Sequence, residues 1–312
     1  MKFIQDFRED DRIIDHYLCK QKQSLKSRAG KTYYSLRLQD KTGMIDAKVW
    51  DLNNDIQDFD EGDFIKIDAV VLSYQNELQL KVGKIRRSRE GEYDPTDHIP
   101  CTDKDIGELF AEVERYIKSI ENPYLNTLLD NILLKNSDIA DRFKKHSAAK
   151  SMHHSYMGGL IEHTLNVVQI CEYLSGLYVV NRDILIATAL LHDLGKIYEL
   201  SPFPSNEYTD DGQLLGHIVM CSELVSREAD NIPGFPHKLL TLVRHSILSH
   251  HGEYEFGSPK LPQTMEAYVL HIADNLDAKL KMFQEFIDAD NSMGEWAGYN
   301  KVFARYVRKT EF

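Results

Sequence analysis

The spacing of apolar residues changes partway along this 312-residue chain. Over residues 12–87 the apolar positions come in short blocks with strand-like alternation. Leu36 and Leu38 flank Arg37, Ile45, Ala47 and Val49 are separated by polar residues, and residues 64–70 and 78–82 repeat the pattern. A period of two predicts strands with one buried face. Asp40-Lys41-Thr42-Gly43, Glu61-Gly62-Asp63 and Gln75-Asn76-Glu77 read as turns between them. With the stretch opened by Ile13, Tyr17 and Leu18, about five strands are expected in a segment short enough to close as a small barrel. Asp94-Pro95 and Ile99-Pro100 break the pattern, so residues 91–104 are expected to be a linker. From Asp105 onward the period is helical. Ile106, Leu109, Phe110, Val113, Tyr116, Ile117 and Ile120 share one face, and further helices are expected over 160–174, 184–191, 215–229, 238–250 and 263–287. The expected fold is therefore multidomain α and β: a small N-terminal barrel over 1–90, then an all-helical domain over 105–312. The basic segment 299–309 has aromatics at i, i+4 and i+7. It is read as a docked helix, with a subunit contact in a homo-oligomer and an RNA contact as open alternatives.

Charge sharpens this division. The net charge of −12 argues on average against nucleic-acid binding, but residues 1–90 carry 17 Lys and Arg against 16 Asp and Glu, while the remainder carries 20 against 33. Ten of the 13 histidines fall between 153 and 271, which places metal or acid–base chemistry in the second half. Apolar runs of about eight residues are far too short for a membrane span, and the first residues lack a signal-peptide core. Cys19, Cys101, Cys171 and Cys221 show no metal-binding spacing, so a reducing cytoplasm is expected.

The strongest chemical signal is His192-Asp193, at the end of the apolar run 184–191. An adjacent imidazole and carboxylate can reach one cation, and a carboxylate can bridge two. His163 precedes the pair; His217, His250-His251 and Asp274 follow it. Taken singly, a histidine at a helix end is more often a cap or a core group, and His237, His245 and His271 are read so. The ordered set supplies enough nitrogen and oxygen donors for one or two transition-metal ions.

That set resembles the HD-domain metal-dependent phosphohydrolases. The phrases "HHSYMGGLIEHT", "ALLHDLGK", "GHI" and "SHHGEYEFGSP" resemble the YhaM-type 3′→5′ exoribonucleases, which also place an OB-like domain before the HD domain. "SLRLQDKTGMIDAKVWD" with "FDEGDFIKIDAVV" resembles OB-fold nucleic-acid binders. The resemblance implies one divalent metal on His163, His192, Asp193 and Asp274. It implies a second on His217 and His250, bridged by Asp193, with His251 as ligand or phosphate contact. It favours Mn; mixed imidazole and carboxylate donors also suit Fe, Co, Ni or Zn. Asp193 and Lys196 are the expected catalytic residues, Lys196 neutralising phosphoryl oxygens. His153 and His154 are expected to grip a phosphate.

In the first domain, Lys20, Lys22, Lys26, Arg28, Lys31, Arg86 and Arg87, interspersed with Tyr33, Tyr34 and Trp50, fit a single-strand binder that pairs cations with stacking aromatics. Neighbours on a strand face opposite ways, so only one of Tyr33 and Tyr34 should be core. The expected function is metal-activated water attack on the terminal phosphodiester of single-stranded RNA, releasing nucleoside monophosphates, with single-stranded DNA as an alternative substrate. The rival readings are a phosphodiesterase for small or cyclic nucleotides and a non-catalytic nucleic-acid binder with a degenerate HD domain. "HHGEYEFGSP" lacks the Gly-Tyr-Pro typical of the cyclic-di-GMP branch, and no expected ligand is missing.

Overall fold

The computed structural model describes residues 1–27, 30–74, 77–150, 154–290 and 294–310. Arg28, Gln75, Asn76 and His153, to which expectations were attached, lie outside these described residues. The chain forms two compact units, Met1–Cys101 with Phe203–Ser205, and Thr102–Pro202 with Asn206–Phe312.

The first unit is a closed five-stranded barrel of β1 (Arg12–Lys26), β2 (Thr32–Asp40), β3 (Gly43–Val49), β4 (Phe64–Tyr74) and β5 (Glu77–Arg87). β1 pairs antiparallel with both β2 and β4, which its 15 residues allow because the register shifts between Cys19 and Gln21. β3 and β5 run parallel and close the cylinder. Alternation sends Leu36, Leu38, Ala47, Val49, Ile65, Ile67, Leu80 and Val82 inward, where they pack with Tyr17 and Phe59. The expected linker does not hang free. Tyr93 stacks on Phe64 with ring centres 4.3 Å apart, and His98 is buried.

The second unit contains α1 (Ile106–Lys118), α2 (Pro123–Leu129), which continues as a π-helix over Asp130–Lys135, and α3 (Ser137–Lys145). It continues with α4 (Gly159–Ser175), α5 (Arg182–Leu191), α6 (Lys196–Glu199), α7 (Asp210–Leu215), α8 (His217–Asp230), α9 (His237–Ser249) and α10 (Met265–Asp288). Side-chain caps start several of them: Asp105 accepts from Glu108 N, Asn181 from Ile184 N and Thr264 from Ala267 N. All but the first two residues of α5 are buried, so this helix is the axis around which the others pack. The expected helix over 215–229 is interrupted. Gly216 has φ +77°, ending α7 and making His217 the first residue of α8.

The C-terminal segment corrects the helical expectation. It is a hairpin of β6 (Trp296–Asn300) and β7 (Arg305–Arg308). Asn300 Oδ1 accepts from Val302 N and Phe303 N and so folds the turn, while Tyr299 and Tyr306 pair across the strands at 5.2 Å. Turn chemistry and a cross-strand aromatic pair override a helical spacing that covers barely two turns.

Candidate metal centre

Five elements bring the histidines and aspartates together. α4 carries His163, the segment after α5 carries His192-Asp193, α8 opens with His217, the end of α9 supplies His250-His251, and α10 supplies Asp274. His163, His192, Asp193 and His250 are almost fully buried. The donors fall into two adjoining sets, one of His163, His192 and Asp274, the other of Asp193, His217, His250 and His251, with donor atoms within 4.8 Å of one another in each. Asp193 joins them. Its Oδ2 lies 3.4 Å from His163 Nε2 and 3.4 Å from His192 Nε2, while its Oδ1 lies 3.3 Å from His217 Nε2 and 3.6 Å from His250 Nε2.

These separations are longer than ordinary N–H···O bonds. Three of the four match donors that share an ion, and His250 stands slightly beyond: two atoms each about 2.1 Å from a cation, at angles of 90–109°, stand about 3.0–3.4 Å apart. The ring orientations agree. His192 Nδ1 donates to Ala189 O (2.8 Å), His250 Nδ1 to Ile247 O (2.7 Å) and His251 Nδ1 to Phe256 O (2.8 Å). A carbonyl can only accept, so Nδ1 carries a proton in each, and in the neutral ring Nε2 is the lone pair. His163 Nδ1 donates to Asp277 Oδ2 (2.7 Å) and His217 Nδ1 to Glu199 Oε1 (2.9 Å). The Nε2 atoms of His163 and His192 then face each other at 3.3 Å, which requires a cation or a proton between them. Asp193 Oδ1, His217 Nε2 and His250 Nε2 are buried without a hydrogen-bond partner among the described residues. Such orphaned atoms are costly unless they bind something. The donor set therefore fits divalent metal, with Asp193 presenting one oxygen to each side.

Electrostatics show a crowded site: against burial, Asp193, Asp274 and Asp277 raise the His163 pKa, and Asp193 and Glu199 raise that of His217, so a cation would have to displace protons from these two rings. Burial opposes charge on Asp193, but Lys196, His192 and His163 outweigh it and hold its carboxyl well below the usual range. Asp274 is likewise kept ionised against burial by His163 and His192. Burial lowers the His250 pKa, and burial together with His250 and His217 pushes His251 down to about 3, so both rings are neutral at pH 7, the form a metal takes. Lys196 Nζ lies 2.6 Å from Asp193 Oδ2. With Asp193, His217, His251 and Asp274 it lines a cavity of about 450 Å³.

His154 is not where a phosphate-gripping residue would be. Its ring is fully buried, with Nε2 3.0 Å from Asp277 Oδ2 and Nδ1 2.8 Å from the Tyr156 hydroxyl. It buttresses Asp277, and Asp277 in turn aims His163. Asp277 and Glu199 are the residues that pattern reading missed. Asp277 stands one helical turn after Asp274, and Glu199 one turn after Lys196; that spacing was the available signal. Carboxylates behind metal-binding histidines typically contribute about 10–100-fold to metal affinity or activity. Asp277→Ala is therefore expected to weaken metal binding by about that factor, with excess metal restoring turnover. A metal titration that matches wild type would remove Asp277 from this role.

The residues expected to hold nucleic acid do not form one patch. Tyr33 stacks on the half-exposed Trp50, with ring centres 4.5 Å apart and planes at 25°. Tyr34 points inward, edge-on to Phe59, and Lys22 lies over both rings, so these two serve barrel packing. Lys20 donates to backbone carbonyls of its own unit. Lys31 pairs with Asp51, Arg86 with Glu92, and Arg87 with Asp60 and Asp63. Lys26 is exposed and makes no ion pair among the described residues. The outer face of β2, β3 and β5 carries two cations, Arg37 and Lys48, that pattern reading passed over. Arg37 sits opposite Asp46, and Lys48 lies between Ser35 and Lys81.

Comparison with known proteins agrees with both halves. Residues 160–279 match the HD domain family, and residues 19–87 match the OB-fold nucleic acid binding domain family. The barrel is similar to the second OB-fold domain of replication protein A from Methanococcus maripaludis (19% identity, 29% of this chain and 96% of that one, TM-score 0.24). It is also similar to the OB domain of Ta0387 from Thermoplasma acidophilum (21% identity, 31% and 92%, TM-score 0.23). A curated relative, the 3′-5′ exoribonuclease YhaM of Geobacillus sp. (strain WCH70), is 35% identical over 262 residues, covering 83% of this chain and 80% of its own length. With an OB barrel, an HD domain and this identity over most of both chains, this chain belongs to the YhaM family of 3′-5′ exoribonucleases.

Proposed function

We propose that this chain is a metal-dependent 3′→5′ exoribonuclease that holds single-stranded RNA on its barrel and hydrolyses the terminal phosphodiester at the metal centre, releasing nucleoside monophosphates. The observation that carries this reading is Asp193, whose two oxygens face two adjoining sets of buried imidazoles. Two divalent ions are the proposed complement, with Mn favoured. A bound divalent ion supplies Lewis acidity toward phosphoryl oxygens and makes a water more acidic. The protein's own groups do the positioning. Glu199 and Asp277 fix the rings of His217 and His163, and Asp193 and Asp274 balance cationic charge. The Lys196 ammonium, at the cavity wall, offers a positive charge to phosphoryl oxygens as they become more negative. A cytoplasmic location is proposed with this activity, in keeping with four free cysteines. Among the described residues, no helix is long and apolar enough to cross a membrane.

The decisive assay incubates the full chain and Mn with 5′-labelled single-stranded RNA, and in parallel with DNA, a duplex and cyclic dinucleotides. A ladder shortening from the 3′ end is expected for RNA. Intact RNA with hydrolysed cyclic dinucleotide would overturn the reading.

Capture is expected to rest on the Tyr33–Trp50 stack. In OB folds the β2–β3 face binds oligonucleotides, and a stacked base is worth about 1–3 kcal/mol. Trp50→Ala should weaken single-stranded RNA binding about 5- to 150-fold while leaving hydrolysis of a minimal phosphodiester unchanged. Equal RNA affinity in filter binding would reject this face as the capture surface.

A further inference from the structure

The metal cavity has unlike walls. One side is the cation-binding floor of Asp193, His217, His251 and Asp274. The same cavity is lined by two large rings that remain open to solvent, Tyr208 at 48% exposure and Phe256 at 59%. Both are held in place. Tyr208 forms a backbone bridge with Leu200, and the Lys150 ammonium lies 5.6 Å from its ring centre. The Phe256 carbonyl accepts from His251 Nδ1 at 2.8 Å, so the backbone that presents this ring also aims a metal-binding imidazole. The cavity, about 450 Å³, falls within the range of small-ligand sites, roughly 300–1,000 Å³.

We propose that Tyr208 and Phe256 form the base-stacking subsite for the nucleotide whose phosphate lies on the metal floor. The inference rests on the reading of this cavity as a phosphodiester site and adds the group that recognises the nucleoside. A nucleotide joins an anion to a π-face, and this cavity joins a cation-binding floor to aromatic walls. Stacking reads no base edge, since every base offers a π-face. The subsite therefore accepts all four nucleotides, as an enzyme that advances along a strand of mixed sequence requires.

The test measures binding of adenosine 5′-monophosphate, cytidine 5′-monophosphate and ribose 5-phosphate to the Mn-loaded full chain by calorimetry. The wild type is expected to bind both nucleotides about 5- to 150-fold more tightly than ribose 5-phosphate. Tyr208→Ala and Phe256→Ala should each erode that ratio without changing ribose 5-phosphate affinity, and Tyr208→Phe should keep it. Equal wild-type affinity for nucleotide and ribose 5-phosphate would overturn the subsite, as would an undiminished ratio in both alanine variants. The wild-type ratio decides even if a variant fails to fold. Failure of the wild type to shorten RNA would instead strike the exoribonuclease reading, because the binding ratio does not depend on cleavage.

Discussion

Asp193→Asn is expected to remove essentially all hydrolysis while the protein stays folded. The side chain keeps its volume and loses the charge and one of the two oxygens that face the two donor sets. The remaining donors are imidazoles, which bring no negative charge, with Asp274 the other carboxylate among them. Cation affinity should therefore fall on both sides at once. Metal catalysis of phosphoryl transfer contributes several kcal/mol, and each 1.36 kcal/mol is tenfold in rate. A loss on the order of 10³-fold or more is expected. A second consequence separates this change from a simple ligand deletion. Lys196 is largely buried, its side chain 12% exposed, with its ammonium 2.6 Å from Asp193 Oδ2, and the substitution leaves that cation without its carboxylate partner. The metal-free variant should thus melt below the metal-free wild type. The measurements are the rate on labelled RNA, metal content by atomic emission, and circular dichroism. Near-normal turnover with full metal content would sink the shared-carboxylate assignment.

Both architectures were legible in the chain because each has its own period. Alternation over β2–β5 and the faces of α1, α4, α5 and α10 are written directly in the apolar positions. The convergence of the candidate donors was legible because they are histidines and aspartates in a set order along the chain, and order survives even when spacing in space is unknown. What supports those ligands was not. Asp277 and Glu199 are ordinary acidic residues in a strongly acidic half, and only the positions of Nδ1 on His163 and His217 mark them out. His154 misled for the converse reason: a histidine pair beside glycines resembles an exposed loop, whereas the ring is packed behind His163. The hairpin at β6–β7 escaped because three aromatics at helical spacing weigh less than one asparagine that folds a turn. On the barrel, counting basic residues could not show which were already paired. Lys31, Arg86 and Arg87 sit on carboxylates. Exposed pairs of this kind are worth at most about 1 kcal/mol, so a phosphate can compete for their cations.

Gly195→Ala is expected to destabilise the helical unit and to damage the His217 side of the metal centre more than the His163 side. Two effects oppose each other here. Gly195 has φ −59° and ψ −19°, a conformation alanine adopts readily. Propensity alone would therefore stabilise the variant by up to about 1 kcal/mol. Sterics run the other way. A Cβ at this position would stand 2.1 Å from the His217 carbonyl oxygen, 2.9 Å from its carbon and 3.0 Å from Cys221 N. All three are backbone atoms, so no flexible side chain can swing aside, and the start of α8 must retreat. Cys221 Sγ, which donates to Leu191 O at 2.9 Å across the same contact, would be strained too. Overpacking of this kind costs about 1–3 kcal/mol, which for a domain of this size lowers the melting temperature by about 2–12 °C. His217 Nε2 now lies 3.3 Å from Asp193 Oδ1, and a retreat by α8 carries it out of reach of a shared ion. His163 and His192 sit on other elements and should keep theirs. The expected outcome is a lower melting temperature and, with two ions proposed for the wild type, metal content reduced toward one ion per chain. A variant that melts higher and binds metal as the wild type does would show that propensity wins, and that the glycine beside His192-Asp193 is not there to let α8 approach.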